Sequence, residues 1–189
     1  DLLEDALENA EMIIFWSNDP DTTRGVYNGQ DSAIWRQWLK EKGVKTVFID
    51  PFYNYTAAYM EGKWIAPRPG TDAAMALGIA HVWLSEGTYD KEYIDTRTLG
   101  FDSFKNYVLG LSDGTPKTPE WAAEECGIEA RFIYTLAKEW AAKRTVLSCG
   151  TRGGEGGACR QAYGTEWARL MVLLQAMQGL GKPGVSIWG

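Results

Sequence analysis

Histidine and cysteine, the side chains that most often hold metal ions, are scarce in this sequence. The 189 residues include one histidine, His81, and three cysteines, Cys126, Cys149 and Cys159, with no CxxC pair. A structural zinc site or an iron–sulfur cluster needs about four such ligands at characteristic spacings. The sequence therefore excludes both kinds of module, and three cysteines do not make a disulfide framework.

Positive charge and long apolar stretches are also limited. The chain has 19 basic against 25 acidic residues, whereas a nucleic-acid-binding surface must be basic to neutralise phosphates. No apolar run approaches the roughly 20 residues that span a bilayer, and the first residues lack the basic segment and cleavage site of a signal peptide. We expect no nucleic-acid partner, no membrane insertion and a cytoplasmic location.

What the sequence does contain is apolar side chains at strand and helix spacing. Short runs of β-branched and aromatic residues predict buried strands at 11–16, 44–50 and 145–149. Helical spacing at 31–42, between the first two strands, completes a strand–helix–strand unit with short joints, which is typical of a parallel pair. The predicted fold class is α/β, a three-layer sandwich with a mainly parallel sheet.

Further helices are predicted at 72–86, 131–143 and 165–179, the first with Thr71 as its N-cap. Residues 88–127 are predicted to form a small helical insertion in a single domain that fills 1–189. The first residues already have helical spacing, and the chain starts without a methionine. We therefore expect it to be a piece of a longer polypeptide.

Polar residues follow the predicted strands at the edge where parallel sheets bind ligands. The loop 17–23 has short polar side chains and a proline, and it could present backbone N–H groups to an anion or form a plain turn. Asp50 could accept hydrogen bonds from ribose hydroxyls or simply stabilise a turn. Asp72 could pair with the amidine edge of guanine or only start a helix.

A glycine-rich loop follows the third strand. Residues 150–164 include six glycines but contain neither GxGxxG nor a P-loop, which counts against a nicotinamide dehydrogenase. Glycine permits close approach of the backbone to a ligand. Arg152 and Arg160 are candidate phosphate donors, with a solvated loop as the alternative.

Five ordered motifs resemble those of the molybdopterin oxidoreductases of the dimethyl sulfoxide reductase type. They are Trp16-Ser17-Asn18-Asp19-Pro20 with Thr23, Ile49-Asp50-Pro51 with Thr56, Pro69-Gly70-Thr71-Asp72-Ala73-Ala74, Thr118-Pro119-Glu120-Trp121-Ala122 with Gly127, and Gly179-Leu180-Gly181-Lys182-Pro183-Gly184. The chain departs from the family at Ser17, Asp19 and Phe52, where glycine, asparagine and arginine are usual. These departures, with segments 36–40, 113–118, 156–160 and 166–169, resemble a transhydroxylase branch that acts on polyhydroxylated phenols.

The resemblance implies a Rossmann-like domain that holds part of a molybdenum cofactor, bis-molybdopterin guanine dinucleotide. The positions that it implies for cofactor binding, together with two from the glycine-rich loop, are Trp16, Ser17, Asn18, Asp19, Pro20, Thr23, Asp50, Pro51, Phe52, Asn54, Gly70, Thr71, Asp72, Gly154 and Arg160. The molybdenum ligand and the catalytic residues match nothing in this segment, so the isolated segment is expected to be inactive.

The resemblance also implies partners and leaves alternatives. The expected partners are the remaining domains of the same chain and an iron–sulfur small subunit. Acetylene hydratase-like enzymes and anaerobic respiratory reductases of the same family are alternative functions. A non-catalytic interaction module that has lost its cofactor is an alternative of a different class.

Overall fold

The structure is a computed structural model that describes residues 2–22, 31–149 and 158–188. Within these residues the chain forms nine α-helices, five strands and one short 3-10 helix. The helices are α1 (Leu2–Asn9), α2 (Asp31–Glu41), α3 (Tyr55–Met60), α4 (Asp72–Glu86), α5 (Lys91–Arg97), α6 (Phe101–Val108), α7 (Pro119–Cys126), α8 (Ala130–Ala142) and α9 (Gly164–Met177). The strands are β1 (Met12–Trp16), β2 (Lys45–Ile49), β3 (Lys63–Ile65), β4 (Thr145–Cys149) and β5 (Ile187–Trp188), and the 3-10 helix is Ala158–Arg160.

The five strands form one parallel sheet in the order β3-β2-β1-β4-β5. Met12 lies opposite Lys45 of β2 and Thr145 of β4, so the three central strands start level with one another. The prediction that the first two strands pair in parallel is confirmed. The strands at 63–65 and 187–188 are not in the sequence prediction, because two or three residues are too few to show a period.

Alternate side chains of the sheet enter two separate apolar clusters. Met12, Ile14 and Trp16 of β1 belong to a large cluster with residues of α4, α7, α8 and α9. Ile13 and Phe15 belong to a smaller cluster with residues of α1, α2 and α3. Helices thus cover both faces of the sheet, and the predicted three-layer sandwich is confirmed.

Helix α4 is at the centre of the larger face. It contacts α7, α8 and α9, and ten of its fifteen residues are buried. A Cβ built on Gly78 would lie 2.8 Å from the Cβ of Ala122, so only glycine allows α7 to approach this closely. Because α4 is fixed on three sides, its first residue, Asp72, has a defined position at the edge of the sheet.

The segment predicted as an insertion is helical and contributes to the larger cluster through Ile94, Val108 and Ala122. Thr118 caps α7 as the sequence indicates, since its hydroxyl accepts a hydrogen bond of 3.2 Å from the backbone N–H of Trp121. Among the described residues no helix is both long enough and apolar enough to cross a membrane.

Candidate functional site

The carboxyl ends of the strands bring together most of the residues predicted to bind a ligand. Strand β1 ends at Trp16, which lies opposite the last residues of β2 and β4, Ile49 and Cys149. The chain places β2 on one side of β1 and β4 on the other, so the direction of winding reverses here. Ligands of open parallel sheets bind outside the carboxyl ends at such a reversal. This edge is therefore the candidate site.

Asp72 is enclosed at this edge and is only 3% exposed. Its Oδ1 accepts a hydrogen bond of 2.9 Å from the indole N–H of Trp16. Its Oδ2 accepts one of 2.8 Å from the side-chain amide of Gln161. A buried carboxylate needs such donors to replace lost water, and the start of α4 adds a favourable dipole. The geometry is that of a carboxylate receiving one N–H group on each oxygen.

Ser17 connects three elements immediately after β1. Its φ of +52° lies in the left-handed region, which explains why the resembling family favours glycine there. Its backbone N–H donates to the carbonyl of Ile49 at 2.8 Å. Its hydroxyl oxygen accepts a bond of 2.8 Å from the backbone N–H of Ala158. This last bond needs a side chain, so serine offsets its backbone strain with a contact that glycine cannot make.

Asp19 fixes the loop after β1 to the start of α3. Its Oδ1 accepts bonds from the backbone N–H and the hydroxyl of Thr56, at 3.1 and 2.6 Å. Burial opposes the charge of Asp19, but hydrogen bonds from Thr22 and Thr56 outweigh burial and lower its pKa. The side chain is therefore a charged acceptor that already holds protein donors.

Asp50 follows β2 and is partly buried. Burial raises its pKa, and the nearby carboxylates of Asp72 and Asp19 add to the effect. Its Oδ1 accepts from the backbone N–H of Phe52 at 3.0 Å. Its Oδ2 is 3.4 Å from the amide nitrogen of Asn54. Asp50 is thus a poorly solvated acid held by neutral donors.

Asn54 and Phe52 differ sharply in their surroundings. Asn54 is buried and caps α3, since its Oδ1 accepts from the backbone N–H of Ala57 at 2.9 Å. The ring of Phe52 is 64% exposed. An aromatic side chain this open at a ligand edge is available for stacking on a flat group.

Gly70 and Thr71 form the turn before α4. Gly70 has a φ of +84°, and a Cβ built on it would meet nothing within 4 Å, so its backbone faces open space. Thr71 lies at the N-cap position of α4, but its hydroxyl donates to the carbonyl of Arg68 at 2.7 Å. The prediction that Thr71 caps α4 is therefore wrong for its side chain, because the turn offers the hydroxyl a nearer partner.

The remaining predicted residues are less closely connected. The side-chain amide of Asn18 donates to the hydroxyl of Ser148 on β4 at 2.7 Å. Pro20 is partly buried, Pro51 is exposed, and Arg160 is exposed at the end of the 3-10 helix. The predicted site residues Thr23 and Gly154 lie outside the described residues.

Gln161, Thr56 and Ser148 contact the predicted site residues but were not predicted as site residues. Gln161 and Asp72 are 89 residues apart in the sequence. A single glutamine in a polar loop carries no periodic or motif signal. Thr56 was visible within the Ile49-Asp50-Pro51 motif, which could have identified it.

Negative charge dominates the described part of this edge. Asp19 and Asp72 both lie near enough to Asp50 to help raise its pKa. The recorded partners of Asp50 and Asp72 are neutral donors. In the part of the chain that the structure describes, no group of three His, Cys, Asp or Glu side chains could hold a metal ion. Carboxylates whose recorded partners are neutral can accept hydrogen bonds from the N–H or O–H groups of a ligand.

Comparison with known proteins finds relatives over almost the whole chain. The chain is 55% identical over 188 residues to the pyrogallol hydroxytransferase large subunit of Pelobacter acidigallici, covering 100% of this chain and 22% of that protein. It is 39% identical over 188 residues to the dimethyl sulfoxide/trimethylamine N-oxide reductase of Cereibacter sphaeroides, covering 94% of this chain and 22% of that protein. The chain therefore spans about a fifth of the length of these relatives.

A solved structure shows the same fold. Acetylene hydratase from Pelobacter acetylenicus superposes with a TM-score of 0.75 at 23% identity, over 97% of this chain and 23% of that one. The family model described as molybdopterin oxidoreductase matches residues 3–189. Because that match covers almost the whole chain, the chain belongs to the molybdopterin oxidoreductase family.

Proposed function

We propose that this chain is the α/β cofactor-binding domain of a molybdenum enzyme that carries bis-molybdopterin guanine dinucleotide. The longer enzyme is proposed to transfer hydroxyl groups between polyhydroxylated phenols. Membership of the family and the 55% identity to a pyrogallol hydroxytransferase support this. Because the chain spans 22% of that relative, the activity belongs to the longer protein.

The pairing of Asp72 carries the proposal. Each of its oxygens receives one N–H group, from Trp16 and from Gln161. Guanine presents two N–H donors, N1–H and the exocyclic amine, side by side on one edge, and a carboxylate accepts both. The acceptor chemistry of Asp72 therefore fits guanine. The backbone at Gly70, two residues before Asp72, faces open space.

The other acids suit the sugar better than the phosphates. Asp50 is an acceptor near Asp72 and would take hydrogen bonds from ribose hydroxyls. A pyrophosphate would be repelled by three neighbouring carboxylates, so it requires cations or backbone N–H groups. Arg160 is an exposed cation in the segment beyond β4, and it is proposed to contact the phosphates together with Gly154 and Thr23.

The cofactor, when bound, supplies the molybdenum centre at which oxygen-containing groups are transferred. The described residues of this chain recognise the cofactor: Asp72 holds the base, and Asp50 faces the sugar. Ser17 and Asn18 fix the loop after β1 through their hydrogen bonds to Ala158 and Ser148. In this proposal the carboxyl edge binds the organic part of the cofactor and not the metal. Its described residues therefore need no cluster of metal-ligating side chains.

The test compares two acids in the first turn of a helix. Asp72→Asn turns an amide N–H₂ toward guanine donors, whereas Asp102→Asn changes an exposed acid in α6. In the full-length protein, Asp72→Asn should lower both the guanosine monophosphate released by acid hydrolysis and the molybdenum content by about tenfold. Asp102→Asn should leave both unchanged.

Melting temperatures measured in parallel separate loss of cofactor from loss of folding. Normal cofactor content and normal melting of Asp72→Asn would show that Asp72 is only a helix-start residue. The proposal would then fail.

An oxygen-transferring reductase is the second candidate, because the chain is 39% identical to a dimethyl sulfoxide/trimethylamine N-oxide reductase. Purified full-length enzyme that reduces these oxides and does not convert pyrogallol would favour it. The iron–sulfur small subunit, the contacts with the rest of the chain, the cytoplasmic location and the insertion at 88–127 stay predictions.

A further inference from the structure

Gln161 is the partner of Asp72 that the cofactor proposal leaves unexplained. It lies between the 3-10 helix and the start of α9, in a segment without regular structure. Its side-chain amide nitrogen is 2.8 Å from Oδ2 of Asp72. A carboxamide N–H₂ is the same kind of donor as the exocyclic amine of guanine. Gln161 therefore occupies the acceptor that a guanine edge would need.

The two hydrogen bonds to Asp72, from Trp16 and from Gln161, differ in how easily they can be broken. Trp16 is completely buried, belongs to β1 and packs in the larger apolar cluster. Gln161 is only partly buried and belongs to no helix or strand. Moving Trp16 would open the core, whereas moving Gln161 requires rotation of a flexible side chain. Exchange with a ligand can therefore happen at Oδ2 with little disturbance of the fold.

We propose that the side-chain amide of Gln161 donates to Oδ2 of Asp72 in the cofactor-free protein, in place of the nucleotide base. The guanine edge displaces this amide when it binds. This inference rests on the proposed function and assigns a new role within the same site. One N–H of the guanine edge replaces that of Gln161 at Oδ2, so the buried carboxylate keeps a donor there throughout the exchange. The second guanine donor shares Oδ1 with Trp16, since each carboxylate oxygen has two lone pairs. Without Gln161, the ligand-free protein would hold a carboxylate with an unfilled oxygen, which is unfavourable.

The surroundings confine the movement to a few residues. Ala158 remains anchored by its bond to the Ser17 hydroxyl. Gly164 begins α9, and a Cβ built on it would lie 2.1 Å from the Cys159 carbonyl oxygen, so the chain is tightly packed there. Five residues, 159–163, lie between these fixed points, and they include Gln161 and the exposed Tyr163. Displacement of Gln161 therefore leaves α9 and the sheet in place.

The experiment measures the binding of guanosine diphosphate to cofactor-free full-length protein by titration calorimetry. Gln161→Met keeps the length of the side chain and removes the N–H donor. Binding should become about fivefold tighter, because no bond to Asp72 has to be broken first. The ligand-free variant should melt below the wild type, and saturating guanosine diphosphate should close that gap.

A matched control is Gln37→Met. The amide of Gln37 also donates to a carboxylate, that of Glu41, at 2.9 Å, but on the exposed surface of α2. It should leave nucleotide affinity unchanged. Adenosine diphosphate, whose base has an acceptor at N1, should bind to none of the variants with comparable affinity.

Two results would overturn this displacement of Gln161 by the base while leaving the proposed function intact. Weaker binding by Gln161→Met would mean that Gln161 orients Asp72 for the ligand. Unchanged affinity with a lowered melting temperature would mean that the bond is purely structural. If wild-type protein does not bind guanosine diphosphate, or if Asp72→Asn binds it equally well, the proposed function fails and the inference fails with it.

Discussion

Two carboxylates at the carboxyl edge of the sheet, Asp50 and Asp72, differ in their partners from the carboxylates at the amino edge. At the amino edge, Glu11 accepts hydrogen bonds from the backbone and guanidinium of Arg144, and Glu139 pairs with Lys45 at the start of β2. At the carboxyl edge, the recorded partners of Asp50 and Asp72 are neutral N–H groups. Cations thus compensate Glu11 and Glu139 at the amino edge. At the carboxyl edge Arg36 compensates only Asp21, and the recorded partners of Asp50 and Asp72 carry no charge.

The pKa values of Glu11 and Asp50 are shifted in opposite directions. The backbone bond from Arg144 and its positive charge lower the pKa of Glu11. Burial, reinforced by Asp72 and Asp19, raises the pKa of Asp50. Ionised Glu11 at the amino edge therefore stabilises the fold. Ionised Asp50 at the carboxyl edge lowers the stability of the fold but can accept hydrogen bonds from a ligand.

The largest expected effect is steric and lies at the carboxyl edge. Gly164→Ala would place a Cβ 2.1 Å from the carbonyl oxygen of Cys159, so the backbone must shift. We expect a loss of about 3 kcal/mol or more in the free energy of unfolding, measured by chemical denaturation. Gly43→Ala, before β2, has a φ of +71° but open space, and should lose only about 1 kcal/mol. Equal losses would show that the carboxyl edge is not tightly packed.

The next effect isolates the bond from Trp16 to Asp72. Trp16→Phe removes the indole donor and leaves an oxygen of a buried carboxylate unfilled. Trp140 is also completely buried, but its indole nitrogen has no hydrogen-bond partner among the described residues. Trp16→Phe should therefore lose about 1–3 kcal/mol more than Trp140→Phe in denaturant unfolding. Similar losses would mean that the bond adds nothing beyond packing.

A smaller effect depends on pH and has opposite signs at the two edges. The pKa of Asp50 is raised by folding, so the unfolded chain ionises first and stability falls as pH rises above 3.8. The pKa of Glu11 is lowered, so its contribution is present above 4.5 and is lost as pH falls through the lowered pKa. Melting curves at about pH 7 should place Asp50→Asn above the wild type and Glu11→Gln below it.

The Asp50 difference should disappear as pH falls below 3.8, where its carboxyl group is protonated in both the folded and the unfolded chain. The Glu11 difference should shrink as pH falls below 4.5 and through the lowered pKa of Glu11. Shifts of the same sign for the two variants at neutral pH would contradict the contrast between the edges.

The smallest effect concerns the exposed ion pair at the amino edge. The Lys45 side chain is 42% exposed, so Lys45→Met should change the free energy of unfolding by at most about 1 kcal/mol. The difference from the wild type should shrink in about 1 M salt, which screens such pairs. A loss that is large and independent of salt would show that the pair is effectively buried.

Much of the fold could be predicted from the sequence because its signals are local. The strand at 145–149 has the predicted bounds, and the first two strands differ from prediction only at their ends. Helix α4 has the predicted bounds of 72–86, and Thr118 caps α7 through its own hydroxyl. Apolar spacing and capping residues act over a few positions, so they can be recognised without the tertiary structure.

The site was predictable in position but not in its contacts. Loops after parallel strands must meet at one edge, which is why Asp50, after β2, lies close to both Asp19, after β1, and Asp72. The sequence also suggested Thr71 as a side-chain cap, but the turn geometry gives its hydroxyl to Arg68. Whether a polar side chain faces a ligand or a neighbour depends on distances that no local pattern contains.

The sequence by itself determined the α/β class, the parallel pairing of its first two strands and the resemblance to a cofactor-binding family. Only the tertiary structure decided which groups hold Asp72, since Trp16 is 56 residues away and Gln161 is 89 residues away. Only the tertiary structure likewise placed Ser17 in a left-handed conformation bonded to Ala158. The physical reason is that secondary structure follows from short-range periodicity, whereas a buried carboxylate takes whichever donors the folded chain brings within about 3 Å.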